Sequence, residues 1–308
     1  MDQIYDVAII GCGPAGLSAS IYASRYRLKN IVFGKMIGGT IADAHKVCNY
    51  PGLPDVSGLE LGMSIHKQAT DLGAEFSSKG IADIKKENGL FVLTTDQDKK
   101  YFSKTVLLAT GTKRNKLAIP NEDKYLGKGL SYCATCDAAF YRGKTVGVVG
   151  GSSAATMAAS VLADVADQVY IIYRGEELRG EPAWVAEIEK KSNIEVLLNT
   201  VLVGLEGENK LERVKLSKSF NNSEYLELDG LFIEIGSEAN ATLSLKLGLE
   251  LDEKQYIKVN QAQETSKEGI WAAGDCTTNS NMFQQVVTAV SEGAVAINSI
   301  YVYIKENQ

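Results

Sequence analysis

The sequence is poor in groups that hold metals. It has two histidines, His45 and His66, and five cysteines, of which only Cys133 and Cys136 lie close together. Zinc needs four ligands, and Cys12, Cys48, Cys276 and the histidines supply no second ligand pair, so no metal site is expected. One close cysteine pair does not make a secreted disulfide framework either, which points to a cytoplasmic chain. Cationic residues are also in deficit: 32 Lys and Arg stand against 38 Asp and Glu, a net charge of −6. That balance argues against nucleic acid or an anionic membrane as partner. No apolar run approaches the length of a membrane span. Asp2 and Asp6 flank the first apolar residues, where a signal peptide would be basic. What remains is a globular composition, 45% hydrophobic and 23% charged, over 308 residues, enough for two ordinary domains.

The chain is organised around Ser131-Tyr132-Cys133-Ala134-Thr135-Cys136-Asp137. Two cysteines separated by two residues can close a small disulfide, be reduced by a donor held against it, and attack a partner's disulfide. Asp137 follows as a ready proton donor or acceptor for a thiolate that forms and decays. A zinc half-site uses the same spacing; the missing second pair favours redox chemistry. Cys12 and Cys48 read as packing residues, His45 as a loop residue and His66 as a helix-face residue.

Ile4 to Ile10 is an apolar run ending in Gly11-Cys12-Gly13-Pro14-Ala15-Gly16, and a helical pattern follows through Leu17, Ile21 and Tyr22. This is strand, glycine turn, helix. Gly11 permits the tight turn, Gly13 lets a pyrophosphate approach the backbone, and Gly16 lets helix pack on strand. The next strand, Asn30 to Phe33, ends in Gly34-Lys35, where a plain NAD site would carry an acid for the ribose. The nucleotide of this turn is therefore not a simple NAD. Gly38-Gly39-Thr40 and Cys48-Asn49-Tyr50-Pro51-Gly52 form a turn-rich segment of the kind that wraps a ligand, ahead of a helix over Leu59 to Leu72.

Ile81 to Lys86, Leu90 to Thr95 and Tyr101 to Ser103 read as an antiparallel meander, and Thr105 to Leu108 as a separate buried strand before Ala109-Thr110-Gly111. Lys113 to Lys116 is a polar linker. A second strand, turn and helix follow the cysteine pair: Thr145 to Val149, Gly150-Gly151-Ser152-Ser153-Ala154-Ala155, and a small-residue helix through Leu162, with Val169 to Tyr173 as the next strand. Glu208 to Phe232 suggests another meander, and Gly236 to Asn240 a return crossing. Gly269 to Asp275 is a strand running into a Gly-Asp pair whose carboxylate can meet a ribityl or ribose hydroxyl. A helix over Phe283 to Tyr303 closes the chain, with Val286, Val290, Ala294, Ile297 and Tyr301 as its core stripe.

Taken together, G-C-G-P-A-G, the Gly-Gly-Thr turn, C-N-Y-P-G, A-T-G, C-A-T-C-D and G-I-W-A-A-G-D, in that order and nearly end to end, resemble the low-molecular-weight thioredoxin reductases. The resemblance implies an α/β fold of two Rossmann-like, three-layer ββα dinucleotide-binding domains, the second inserted in the first. It places an FAD domain at 1–113 and 243–308 and a redox domain at 114–242, and implies a homodimer. One FAD per chain would be lined by Gly11, Gly13, Pro14, Ala15, Gly16, Gly34, Gly39, Thr40, Asn49, Ala109, Thr110, Gly111, Gly274, Asp275, Gln284, Gln285 and Val286. Cys136 would face the flavin, Cys133 would attack thioredoxin, and Asp137 would manage the proton.

The sequence departs from the NADPH-using members at the second turn. Their G-G-G-D-S-A is here Gly150-Gly151-Ser152-Ser153-Ala154-Ala155, and their H-R-R-x-x-x-R is Tyr173-Arg174-Gly175-Glu176-Glu177-Leu178-Arg179. A lost charge-assisted hydrogen bond costs roughly 1.5–3 kcal/mol, about one to two decades of affinity. Glu176 and Glu177 add repulsion toward a phosphate. NADPH is therefore not expected as donor, and a small iron–sulfur protein, a ferredoxin, takes its place. This is similar to the ferredoxin-dependent flavin thioredoxin reductases. Arg25, Arg27, Lys29, Lys113, Arg114 and Lys116 offer a basic patch for an acidic donor. Three alternatives stay open: an NADPH-dependent reductase in which Arg174 and Arg179 suffice, a dithiol oxidase passing electrons to oxygen, and an idle FAD-binding scaffold.

Overall fold

The computed structural model describes residues 3–307, so Asp2 lies outside the described residues. The chain divides into two compact units, one formed by 1–113 with 238–308 and the other by 114–237.

The first unit opens with β1 (Ile4–Ile10), α1 (Pro14–Arg25), β2 (Asn30–Phe33), α2 (Gly58–Asp71), β3 (Glu75–Ser77), β4 (Ile81–Glu87), β5 (Leu90–Thr95) and β6 (Lys100–Leu108). Strands β3-β2-β1-β6-β5-β4 lie in that order. The β2–β1 and β1–β6 ladders are parallel, with Ile9 opposite both Val32 and Leu107. Along β1, Val7 and Ile9 pack to one face while Ala8 and Ile10 pack to the other, so the strand is buried on both sides. Ser57 and Glu60 form a capping box that starts α2, because each side chain satisfies a backbone N–H of the other.

The expected break between Tyr101–Ser103 and Thr105–Leu108 is absent: β6 is one strand. Its first half pairs antiparallel with β5, where Phe91 faces Ser103, and its second half pairs parallel with a later strand. A single strand with two partners along one edge looks like two elements in sequence.

Where the chain crosses between units, β7 (Thr112–Arg114) overlaps the polar stretch read as linker. The second unit contains α3 (Glu122–Tyr125), β8 (Leu130–Ser131), α4 (Ala134–Asp137), β9 (Thr145–Val149), α5 (Ser153–Ala163), β10 (Gln168–Ile172), α6 (Pro182–Glu189), β11 (Ile194–Leu197), β12 (Leu202–Glu206), β13 (Arg213–Phe220), β14 (Ser223–Glu227) and β15 (Gly230–Ile233). Its parallel sheet runs β11-β10-β9-β15-β8, and β12-β13-β14 form a separate antiparallel sheet. The meander expected over Glu208 to Phe232 is thus corrected. It begins at Leu202, and Gly230 to Ile233 leave it to join the parallel sheet beside β9.

The chain returns through β16 (Ser237–Ala239), which pairs with β7, and then forms α7 (Thr242–Leu247), β17 (Ile270–Ala272) and α8 (Val286–Glu306). Strand β17 is the second partner of β6, with Ile270 opposite Val106. Helix α8 starts three residues later than expected, and its buried face is Ala289, Glu292, Gly293, Ala296, Ile297, Ile300 and Ile304. The stripe through Val286, Val290, Ala294 and Tyr301 is therefore displaced, with Ile297 alone fully buried among them. This 21-residue helix is also long and apolar enough to cross a membrane, contrary to the sequence reading. Its apolar face packs instead in the core with Leu17, Ala19 and Trp271. Gly293 makes the crossing with α1 possible: a Cβ there would sit 2.1 Å from the carbonyl oxygen of Ala15.

Candidate active site: two glycine turns and a cysteine pair

In the first unit, β1 runs into Gly11, whose φ of 130° is open to glycine. A side chain there would meet the carbonyl oxygen of Ala109 at 1.9 Å. Gly16 is constrained the same way by the carbonyl oxygen of Gly11, also at 1.9 Å. Gly13 differs. A Cβ on it would find nothing nearer than the carbonyl oxygen of Gly38 at 3.8 Å, so space lies open over the turn. Helix α1 begins at Pro14 with no side-chain cap and no acid in its first turn. Its uncapped N–H groups and the positive end of its dipole therefore face a site suited to an anion. Gly34 follows β2 against Cys12, and Gly39 opens the short turn that carries Thr40; a Cβ on Gly39 would lie 3.0 Å from the Gly13 Cα.

The same end of the sheet gathers the other positions. Ala109, Thr110 and Gly111 follow β6, and Gly274 and Asp275 follow β17. Asn49 donates its amide to Gln285 Oε1 at 3.0 Å, and Gln284 Nε2 donates to the Asp275 carbonyl at 3.1 Å. Val286 is the first residue of α8. The seventeen residues of the expected FAD set thus fall on the segments that follow strands β1, β2, β6 and β17, including the first turn of α1, or at the start of α8, at the carboxyl ends of the strands where open α/β sheets bind ligands. An open glycine turn, an uncapped helix start and a half-buried carboxylate fit a dinucleotide with a pyrophosphate and polyol hydroxyls.

One residue of this region is not apparent from sequence motifs. Glu292, buried on α8, accepts the Gly274 N–H at 2.7 Å and lies 3.2 Å from the Thr277 hydroxyl; Ser280 also donates to it. Its signal was register: it sits three residues after Ala289 and four before Ala296 on the inner face. Burial first, and then the Glu292 charge, push the Asp275 carboxyl up to about 6.

The remaining thiols sort by burial. Burial pushes Cys12 up to about 11 and raises Cys276 as well, so both stay protonated. Cys48 is exposed, which corrects its reading as a packing residue.

In the second unit, Cys133 and Cys136 form a disulfide with Cα atoms 5.3 Å apart. Strand β8 delivers the pair: the Cys133 N–H donates to the buried Ser131 hydroxyl at 3.0 Å. Tyr132 donates its hydroxyl to Glu122, a buried carboxylate that also accepts the N–H groups of Ala118, at 2.9 Å, and Leu117, at 3.2 Å. The Cys136 N–H donates to Cys133 Sγ at 3.2 Å, an arrangement that favours negative charge on Cys133 once the bond opens. Asp137 closes this turn, its N–H on the Cys133 carbonyl at 3.2 Å. Its charge adds to burial in raising the phenol of Tyr141.

The second glycine turn is built differently from the first. Gly150 has φ 145° and a Cβ there would lie 2.1 Å from the Glu234 carbonyl oxygen. A Cβ on Gly151 would fall 2.5 Å from the ring of Tyr173, and one on Gly175 would meet the same ring at 2.5 Å. Arg179 donates from Nε to the Tyr173 hydroxyl at 2.7 Å and from its backbone to the Gly151 carbonyl at 2.6 Å. Arg174, Glu176 and Glu177 are exposed. The Tyr173 ring thus packs against both glycines, and Ser152, exposed, stands where the first turn has Gly13.

The expected basic patch is halved. Lys113, Arg114 and Lys116 are paired with Glu238, Glu234 and Asp123 at 2.9, 3.6 and 3.0 Å. Arg25, Arg27 and Lys29 are exposed around the end of α1.

Residues 5–293 match the pyridine nucleotide-disulphide oxidoreductase family. The thioredoxin reductase of Mycoplasma genitalium is 40% identical over 296 residues, covering 96% of this chain and 93% of that protein. The crystal structure of Lactococcus lactis thioredoxin reductase superposes with a TM-score of 0.92 at 30% identity, over 98% of this chain and 99% of that one. A ferredoxin-flavin thioredoxin reductase from Clostridium acetobutylicum gives 0.54 at 33% identity, over 99% and 100%. With its cysteine pair and two Rossmann-like units, the chain belongs to the pyridine nucleotide-disulphide oxidoreductase family, as a flavoprotein disulfide reductase of the thioredoxin reductase type.

Proposed function

We propose that this chain reduces the disulfide of thioredoxin or a thioredoxin-like protein, with electrons that enter from reduced ferredoxin. The observation that supports the reading is that Ser152 stands where the first turn has the open Gly13, with Gly175, Glu176 and Glu177 in place of the phosphate clasp of the NADPH-using members. FAD, when bound, converts single-electron delivery into two-electron reduction of a disulfide. Gly11, Gly13 and Gly16 with the start of α1 would hold its pyrophosphate, and Asp275 and Gln285 its hydroxyls.

The chain's own residues do the rest. Two electrons and two protons convert the Cys133–Cys136 disulfide to a dithiol. Cys133, whose charge the Cys136 N–H favours, then attacks one sulfur of the partner's disulfide and expels the other as a thiolate. Cys136 attacks the mixed disulfide, which restores the intramolecular bond and releases the partner as a dithiol. Asp137, next to Cys136, supplies and recovers the proton. A cytoplasmic homodimer with its redox domain at 114–242 accompanies this reading.

The NADPH-dependent alternative draws support from the similarity to the Mycoplasma genitalium and Lactococcus lactis thioredoxin reductases and from Arg174 and Arg179 at the second turn. Anaerobic titration of the flavin with NADPH, NADH and reduced ferredoxin in parallel decides between them. The proposal expects bleaching by reduced ferredoxin alone. Rapid bleaching by stoichiometric NADPH rejects it.

A further inference from the structure

We infer that Glu122 and Tyr132 form a positioning pair for the redox cysteines: the buried carboxylate holds the phenol of the residue just before Cys133, and so keeps the two thiols within reach of each other once the disulfide opens. The inference rests on Cys133 and Cys136 being the working pair of a disulfide reductase, and it is independent of which donor supplies the electrons.

Glu122 is only 7% exposed and opens the short helix α3. Its Oε2 accepts the Ala118 N–H at 2.9 Å and its Oε1 accepts the Leu117 N–H at 3.2 Å, and the Tyr132 hydroxyl donates to the same Oε1. A carboxylate is tolerated out of water where donors meet its lone pairs, and three donors meet them here. Around this acid the backbone is left-handed at Ala118, φ 58°, and at Asn121, φ 68°. Alanine gains nothing from that conformation by itself, so the loop is held bent around the carboxylate.

The other end of the tether is the redox turn. Tyr132 packs its ring against the core that includes Tyr125, Leu130 and Leu211. Before it in sequence, the buried Ser131 hydroxyl accepts the Cys133 N–H at 3.0 Å. After it, Cys133 stands at the start of α4, with the Cys136 N–H on its Sγ and the Asp137 N–H on its carbonyl, both at 3.2 Å. Cys133 is half-buried and Cys136 exposed, so packing alone restrains the second cysteine little. The groups that form the Glu122–Tyr132 bond do not change when the disulfide is reduced, so this restraint is present in both redox states.

The consequence is thermodynamic. A dithiol recloses more readily the less freedom its two thiols gain on opening. A turn tied through Tyr132 stays near the 5.3 Å Cα spacing of the closed form, which favours the disulfide and lets Cys136 resolve a mixed disulfide quickly. An untied turn shifts the balance toward the dithiol.

The test uses the full-length flavin-loaded chain, equilibrated anaerobically in buffers of reduced and oxidised glutathione. Samples are quenched with acid and alkylated, and the closed fraction of the Cys133–Cys136 pair is read by peptide mass spectrometry, with Cys12, Cys48 and Cys276 as internal thiol standards. Closing the pair converts one oxidised glutathione into two reduced ones, so the equilibrium constant is an effective concentration of one thiol toward the other. Tyr132→Phe keeps the ring and removes the hydroxyl; it is expected to lower that constant about tenfold, or about 30 mV for a two-electron couple. Glu122→Gln leaves one acceptor oxygen for three donors and is expected to shift the constant in the same direction. Tyr125→Phe is the control. Tyr125 is 2% exposed on the same helix and donates to the Gly207 carbonyl at 2.8 Å. Its loss is expected to lower the thermal midpoint and to leave the constant within about twofold of wild type.

A folded Tyr132→Phe that matches wild type within about twofold overturns the inference. If that chain loses its cooperative thermal transition, folded Glu122→Gln is held to the same criterion. Tyr125→Phe shifting the constant as far as Tyr132→Phe also overturns it, by assigning the effect to general loosening of the unit. The two readings fail separately. A wild-type pair that cycles in no glutathione buffer removes the redox pair, whereas the roles of Glu122 and Tyr132 are judged on the ratio between variant and wild type.

Discussion

Glu292 holds the backbone N–H of Gly274 at 2.7 Å, one residue before Asp275, so a buried carboxylate of α8 lies beside the half-buried one that follows β17. The buried acid fixes the loop that presents the other. Replacing Glu292 with alanine leaves the Gly274 N–H and the Ser280 hydroxyl without their acceptor. At about 1–3 kcal/mol for each such group, the urea midpoint is expected to fall markedly and the flavin affinity with it. Glu292→Gln keeps an acceptor and is expected to lose less, with flavin retention after gel filtration as the second readout.

Asp275 gives the flavin-free chain a pH signature. Burial and Glu292 push its carboxyl from 3.8 to about 6, so the folded chain binds this proton more tightly than the unfolded chain. Its contribution is fully present below the unfolded value near 4 and is lost as pH rises through about 6, on the order of 3 kcal/mol. Denaturation of flavin-free protein from pH 4 to 7 is expected to show that decline in wild type and not in Asp275→Asn. A difference between the two that grows in the other direction contradicts the assignment.

At Gly293 two effects oppose each other. Alanine in a helix interior is favoured over glycine by about 1 kcal/mol. A Cβ at 293 would nevertheless sit 2.1 Å from the Ala15 carbonyl oxygen, which is backbone and has little room to retreat. The clash is expected to win: Gly293→Ala lowers the thermal midpoint by several degrees and weakens flavin binding, because the displaced residue is in the first turn of α1.

The cysteines carry the chemistry and little of the fold. Cys133→Ser and Cys136→Ser are each expected to cut thioredoxin turnover by at least about a thousandfold, the scale of losing a covalent nucleophile. Cys136→Ser is expected to trap a mixed disulfide with the partner through Cys133, seen as an added mass on non-reducing gels. Trapping by Cys133→Ser instead reverses the roles of the two.

Much of this was legible in the sequence because glycine and cysteine are punctuation with a mechanism. The strand Ile4 to Ile10 could be placed to the residue, and the helix after the Gly11-to-Gly16 run and the Gly274-Asp275 pair could be located. The failures share a cause: tertiary partners that no local pattern encodes. Strand β6 was split because it changes partner midway, from β5 to β17. The α8 face was misplaced because a buried glutamate and a glycine, Glu292 and Gly293, occupy it where apolar residues were sought. Tyr173 was read as a lost histidine, when its ring contacts decide the shape of the turn. The basic patch is halved because Glu238, Glu234 and Asp123 pair with Lys113, Arg114 and Lys116.

The crossing of α1 with α8 has a bearing on biosynthesis. Ser18 donates to the Val290 carbonyl across 272 residues of sequence, and Asn49 meets Gln285 across 236. A growing chain that has exposed its first glycine turn therefore lacks the opposite wall until α8 leaves the ribosome. Cofactor capture must therefore wait for α8, and a ribosome stalled before residue 286 carries an unfinished half-pocket with the apolar inner surface of α1 uncovered.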